Sequence, residues 1–240
     1  MRIAVLSDIH GNLPALEAVL EALKPYDAIW QLGDVVGYGP QPDEVVARLA
    51  DENATGVRGN HDAAALGDLD TDSFNDDART AVEWTAERIE QSTRDWLARL
   101  PQVAVEDPFT LVHGSPRDPT WEYIFTASIA RANLSAFETE HALAGHTHIP
   151  IVYREKGGRM EGIAVDNGDQ LKLGSQRVIA NPGSVGQPRD GDPRASAMIL
   201  DTDRHALEWH RVDYPIAQVQ KLMEQRRLPP RLARRLSYGL

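Results

Sequence analysis

MRIAVLSDIHGN, residues 1–12, begins with an apolar run that stops at Ser7-Asp8, and the pattern returns in AIWQLGD at 28–34 and ATGVRGNHD at 54–62. Each apolar run reads as a buried strand, over Met1–Ser7, Ala28–Leu32 and Ala54–Val57, and each is followed by a polar knot. Helical spacing fills the intervals. Pro14 to Leu23 has Asn12 as candidate N-cap, a proline in its first turn, and apolar positions at Leu16, Val19, Leu20 and Leu23. Pro42 to Leu49 is the second helix. Strand–helix alternation of this kind implies parallel strands joined by right-handed crossovers, hence an α/β fold.

Outward from this unit the pattern loosens. Asp68 to Asp77 is an acidic loop, and Asp76 to Arg99 reads as one helix with Val82, Ile89, Trp96 and Leu97 inward. Val103–Val105 and Leu111-Val112 form a strand pair turned at Asp107-Pro108; Ser115 to Phe125 is irregular; residues 127–137 are helical. After His148 come short strands at Ile151–Arg154, Gly162–Val165, Val178–Ala180, Ala197–Leu200 and Ala206–Val212, separated by turn residues. Antiparallel strands following a βαβ half point to a second sheet packed on the first. Pro215 to Arg227 closes the chain as an amphipathic helix. Without a linker or repeat, residues 1–240 read as one domain with insertions near 68–100 and 115–137.

Composition narrows the chemistry. A net charge of −11 argues against a general nucleic-acid or membrane-surface binder. The absence of cysteine excludes disulfides, thiolate metal sites and cysteine nucleophiles. The run after Met1 is too short for a signal-peptide core, and no stretch has the length to cross a bilayer, so the expected location is the cytoplasm.

The polar knots are Asp8-Ile9-His10, Gly33-Asp34, Gly59-Asn60-His61-Asp62, His113-Gly114 and Gly145-His146-Thr147-His148, and they hold five of the chain's eight histidines. Ligands in open α/β sheets lie beyond the carboxyl ends of the strands, where these knots fall. In an extended segment residues i and i+2 point the same way, so Asp8 with His10, and His146 with His148, can each grip one cation. With Asp34, Asn60 and His113 there are two carboxylates, one amide and four imidazoles, enough for two sites that share Asp34. Nitrogen and oxygen donors without sulfur suit two divalent transition-metal ions, Mn²⁺ foremost, with Fe, Zn²⁺, Co²⁺ or Ni²⁺ as alternatives to it, better than Mg²⁺ or Ca²⁺.

Taken in order, these five knots resemble the calcineurin-like metallophosphoesterases over residues 8–148, most of all the family's small bacterial phosphodiesterases, whose Asn-Pro-Gly-Ser stretch is matched at Asn181–Ser184. The resemblance implies a sandwich of two mixed β-sheets flanked by helices. It implies that Asp8, His10 and His148 hold the first metal, that Asn60, His113 and His146 hold the second, that Asp34 bridges, and that His61 is a general acid beside the leaving group. The expected activity is metal-dependent hydrolysis of small, nucleotide-type phosphodiesters by a hydroxide bridging the two metals. The alternatives are a phosphomonoesterase, a dinucleoside polyphosphate hydrolase, or a non-catalytic scaffold of the same fold; the presence of His61 favours an enzyme. One departure matters. Where the family's protein-phosphatase branch carries an Asp and then an Arg, this chain has Gly37 and Tyr38, which argues against a protein phosphatase and leaves open what orients His61, with Asp62 as candidate.

Substrate contacts are sought at Asn12, Tyr38, Arg117 and Arg189, although Asn12 reads equally well as a helix cap. Asn181-Pro182-Gly183-Ser184 is a tight turn or a pocket floor. Trp121, Tyr123 and Phe125 can stack on a base, while packing within the insertion is the more ordinary fate of such residues. His141, His205 and His210 fit no motif and read as surface or half-buried side chains. The arginine-rich stretch from Lys221 to Arg235 reads as a solvated helix face.

Overall fold

Buried on both faces, a strand of a covered parallel sheet needs an unbroken apolar run, and Ile3-Ala4-Val5-Leu6 has one. A computed structural model describes residues 1–240 and places that run in β1 (Arg2–Leu6), followed by α1 (Leu13–Leu23), β2 (Ala28–Leu32), α2 (Pro42–Asp51) and β3 (Thr55–Val57). Strand β1 pairs in parallel with β2, and β2 with β3. Three helices follow, α3 (Asn60–Leu66), α4 (Asp76–Ala86) and α5 (Gln91–Ala98), then β4 (Val103–Glu106), β5 (Phe109–Val112), α6 (Ala127–Asn133) and β6 (His141–Ala144). The remainder is β7 (Ile151–Lys156), β8 (Arg159–Ala164), β9 (Gln170–Lys172), β10 (Val178–Asn181), β11 (Ala195–Asp201), β12 (Ala206–Val212), α7 (Ile216–Gln225) and α8 (Pro230–Arg235).

The strands form two six-stranded mixed sheets, ordered β3-β2-β1-β11-β12-β9 and β4-β5-β6-β10-β7-β8. Side chains alternate between layers as a period of two requires. Ile3 and Val5 join Phe109, Leu143, Val178 and Trp209 in the core between the sheets. Ala4 and Leu6, on the other face of β1, pack with Leu16, Leu20 and Val45 of the helical layer. Ala142, Ala144 and Ile179 of the second sheet meet Ala130 beyond it. The molecule is therefore layered helix, sheet, sheet, helix, as the resemblance implied. No helix is long and apolar enough to cross a membrane.

Several elements differ from expectation. The single helix over 76–99 is broken between Ala86 and Gln91, where the Glu90 amide donates to Asp43 Oδ1 (2.9 Å), ties the chain to α2, and lets a new helix begin with Trp96 and Leu97 buried. The helix over 127–137 stops at Asn133 and tightens into a 3₁₀ turn at Leu134–Ala136. α3, β9 and α8 are additional elements. His141 lies in β6 and is buried, whereas His210 is half-buried and His205 exposed.

β1, β2 and β3 run together, as do β5, β6 and β10. Their carboxyl ends converge at one end of the sandwich, so knots scattered over 140 positions of sequence meet there.

Candidate metal centre

Each knot must turn away at once from the strand that carries it, and the backbone records the cost. Asp8, His10, Asp34, His146 and His148 all adopt left-handed φ values, between 51° and 66°. Such conformations cost non-glycine residues roughly 1–3 kcal/mol each and persist where the surroundings over-determine them. Here the surroundings are hydrogen bonds. The amides of Asp8, His10 and Gly11 donate to the carbonyls of Gly33, Asp34 and Val35, lacing the first knot to the second. The amides of Val185 and Gly186 donate to Ser7 and Asp8, and Ser184 Oγ donates to the Asp8 carbonyl (2.8 Å). Asn181 Nδ2 donates to the Gly145 carbonyl (2.7 Å) and to Thr147 Oγ1 (3.1 Å). The Asn-Pro-Gly-Ser stretch thus braces two ligand loops from beneath.

The imidazoles are oriented by backbone carbonyls, which only accept. Val36 O lies 3.1 Å from His10 Nδ1, Leu32 O 2.9 Å from His113 Nδ1, and Gln187 O 2.6 Å from His148 Nδ1. Each Nδ1 therefore carries the proton, and the Nε2 lone pairs face inward, an arrangement typical of metal-binding histidines. The consequence is a set of short contacts that only an added proton or a cation satisfies. His10 Nε2 stands 3.3 Å from His148 Nε2, and His113 Nε2 stands 2.9 Å from His146 Nδ1 and 3.0 Å from Asn60 Oδ1. Asp8 Oδ1 and His146 Nε2 are buried without any partner. Facing lone pairs and orphaned acceptors require positive charge between them.

Two groupings have the spacing to hold a cation, Asp8–His10–His148 and Asp34–His113–His146, the second with Asn60 alongside. Asp34 also groups with His10 and His61, so its carboxylate lies between the two. His148 Nε2 is 3.1 Å from Asp8 Oδ1, and His113 Nε2 is 3.3 Å from Asp34 Oδ2. Burial disfavours the charged form of Asp8, but His148, His113 and the Ser7 hydroxyl outweigh it and hold the carboxyl well below the usual range. Burial likewise opposes charge on His113, yet Asp34 and Asp8 push its pKa up to about 9. A proton collects where a cation would sit, so binding and protonation compete. The residues present have the donor chemistry and spacing to bind metal.

His61 is different. It is the second residue of helix α3, is buried, and its pKa is lowered to about 4, chiefly by burial, with Asp34 opposing the effect and Arg189 adding to it. Its ring is packed by Tyr38 (centroids 4.4 Å), Phe74 (4.9 Å, edge-on) and His10 (4.9 Å). Gly37, at φ +88°, completes the cradle: a Cβ there would stand 2.5 Å from His61 Nδ1. Asp62 does not orient His61. Its Oδ2 accepts from the Gly59 amide (2.9 Å) and its Oδ1 from the Val36 amide (3.0 Å), capping α3 and fastening it to the Asp34 loop. Aromatic packing, not a carboxylate, holds this histidine.

The sequence-predicted substrate residues divide. Tyr38 and Arg189 reach the centre: Arg189 Nη2 donates to the Tyr38 hydroxyl (3.4 Å) and to Gln187 Oε1 (3.0 Å), and its Nε is buried without a partner. Asn12 caps α1, accepting from the Ala15 amide (3.2 Å) and donating to the Gly186 carbonyl (2.9 Å), so both its polar atoms are engaged. Arg117 is held by Glu122 rather than by the cluster. Tyr123 stacks face-on against His146, with centroids 3.7 Å apart and planes at 17°. In the arginine-rich stretch Arg231 and Arg234 are exposed, but Arg235 is half-buried beside Arg189, its pKa lowered to about 10 by burial and by that neighbour. Ser7 and Gln187, which position candidate ligands without carrying a motif, had no sequence signal, whereas Ser184 belongs to the Asn-Pro-Gly-Ser stretch.

A model of the calcineurin-like phosphoesterase superfamily domain matches residues 1–205. An uncharacterized protein of Methanocaldococcus jannaschii, MJ0912, is 37% identical, over 99% of this chain and 98% of its own length. Phosphodiesterase YfcE of Escherichia coli K12 is 28% identical, over 85% of this chain and 89% of its own. Among solved structures, a metallophosphoesterase from Sphaerobacter thermophilus superposes with a TM-score of 0.92 at 44% identity, covering 100% of this chain and 99% of that one.

Proposed function

Since this chain belongs to the calcineurin-like phosphoesterase superfamily, we propose that it is a binuclear metal-dependent phosphodiesterase acting on small, nucleotide-type phosphodiesters. The observation that carries this reading is the pair of donor groupings Asp8–His10–His148 and Asp34–His113–His146, with Asp34 also grouped with His10. Asp8, His10 and His148 hold one ion; Asn60, His113 and His146 hold the other; Asp34 serves both. When bound, two such ions neutralise a phosphoryl group and acidify water, so that hydroxide is present at neutral pH. Mn²⁺ suits this mixed set, and a soluble cytoplasmic enzyme suits the composition.

The chain's own residues do the rest. Arg189 and the Tyr38 hydroxyl hold a non-bridging phosphate oxygen, and the unpartnered Arg189 Nε supplies the unused donor. His61 delivers a proton to the departing oxygen. Burial keeps it neutral in the free site, so its proton depends on the negative charge of a diester bound beside it. The likeness to phosphodiesterase YfcE supports a diester over a monoester. The test is turnover of bis(p-nitrophenyl) phosphate against p-nitrophenyl phosphate with added Mn²⁺, together with metal analysis of the purified protein. Two ions per chain and faster diester cleavage are expected. Preference for the monoester would make it a monoesterase, and full occupancy without turnover of either would make it a scaffold.

A further inference from the structure

Large apolar side chains left in water need a reason, because burying one is worth about 1.5–3 kcal/mol. Most of the exposed ones here lie at the chain ends or on the edge strand β4; Tyr123 (36% exposed) and Phe125 (55% exposed) instead adjoin the histidine cluster. Their segment is anchored on the side away from solvent. Trp121 packs edge-on against Phe74 (5.4 Å), and Ile124 is buried while its carbonyl accepts from the Tyr153 hydroxyl (2.9 Å). Glu122 accepts from Ser115 Oγ (2.6 Å), from Asn133 Nδ2 (2.7 Å) and from Arg117. With its even-numbered neighbours tied down, the segment presents Tyr123 and Phe125 outward. The two rings are parallel within 7°, with centroids 5.1 Å apart, and the inner one lies flat on His146 at 3.7 Å.

We infer that Tyr123 and Phe125 form an aromatic platform for the nucleobase of the substrate, with the exposed Phe125 as the ring it meets. The inference rests on the phosphodiesterase reading above and names what that substrate carries. Because the rings are already stacked and their segment fastened, little ordering remains when a base arrives. A π-face accepts any base, and purines, with the larger face, bind best.

The test keeps the leaving group constant and varies the base. Thymidine 5′-(p-nitrophenyl phosphate) and ethyl p-nitrophenyl phosphate both release p-nitrophenolate. With Mn²⁺-loaded protein, Phe125→Ala lowers kcat/KM for the nucleoside ester by about 5- to 150-fold, mainly through KM, as loss of one base–aromatic stack predicts. The ethyl ester is unaffected, and Phe125→Trp keeps the preference. Equal losses on both esters, or none, would overturn the platform. Calorimetry supplies a readout independent of turnover: AMP should bind wild type more tightly than ribose 5-phosphate, and Phe125→Ala should erase that advantage. If wild type cleaves no diester yet shows a Phe125-dependent AMP advantage, the phosphodiesterase reading falls and the platform stands. Equal binding of AMP and ribose 5-phosphate by wild type overturns the platform whatever the turnover.

Discussion

Replacing Gly37 with alanine sets a Cβ 2.5 Å from His61 Nδ1 and 3.0 Å from its Cβ and Cγ. Comfortable contact begins near 3.5 Å, so the imidazole must retreat by roughly 1 Å. Tyr38, Phe74 and His10 already enclose the ring at centroid distances of 4.4–4.9 Å, and the retreat tilts it away from the departing oxygen. A misplacement of about 1 Å costs on the order of 10²-fold in rate. Alanine at φ +88° also bears backbone strain of roughly 1–2 kcal/mol, which lowers Tm by about 2–8 °C in a chain of this length. Gly168 separates the two effects, having φ +83° with no atom within 4 Å of its added Cβ. Gly168→Ala should lose the few degrees and keep full activity. Gly37→Ala should lose similar stability, retain both metals, and drop about 10²-fold in kcat on an alkyl diester. It should lose less on a p-nitrophenyl ester, whose phenolate departs without help. The assay is kcat on both esters at matched metal occupancy. If Gly37→Ala cleaves the alkyl ester as fast as Gly168→Ala does, the placement of His61 does not govern protonation of the leaving group and the general-acid role is wrong.

Under the proposed assignment of Asp34 to both ions, Asp34→Asn should abolish turnover and metal retention together; two tightly held ions in that variant would contradict the shared-ligand proposal. Ions that bind only the folded chain at several hundred times Kd add about 3–4 kcal/mol, so chelation should lower Tm by roughly 6–16 °C in calorimetry. An unchanged transition would remove the case for a metal centre. Burial alone would raise the Glu122 pKa, but Arg117, Ser115 and Asn133 hold it at about 2. A depressed folded-state pKa gives stability present above the ordinary carboxylate range and lost as pH falls towards 2, so Glu122→Gln should be less stable than wild type at pH 7 and converge with it in acid unfolding.

The parallel half was legible because its strands, covered on both faces, must be apolar throughout, and because each knot sits where such a run ends. The ligand residues were legible for the same reason: Asp, Asn and His directly after a buried strand have few structural uses. Helix α3 escaped notice because it begins inside a knot and its stretch, Asn60 to Leu66, has no amphipathic stripe. Its one trace was Asp62, three residues after Gly59, whose carboxylate accepts from the Gly59 amide and caps the helix start. The break at Glu87–Glu90 was hidden because the apolar spacing of α4 and α5 continues across it, while its cause, Asp43, lies 47 residues away. The orientation of His61 had no local trace at all, since Phe74 belongs to the acidic loop and only tertiary packing brings it to the ring.

The bracing of the ligand loops by residues 181–187 bears on how the centre comes into being. All seven donors have been synthesised by His148, yet Ser184, Gly186 and Gln187, which hold Asp8 and His148 in place, come later, and β11, the antiparallel partner of β1, spans Ala195–Asp201. At a translation rate of about 5–20 residues per second, the nascent chain carries a full complement of imidazoles and carboxylates for some seconds before residues 184–187 brace Asp8 and His148. In that interval they are loose side chains that bind any passing ion weakly and release it. A metal bound by the proposed donor set would therefore meet the complete arrangement only after the carboxyl-terminal strands are threaded into both sheets.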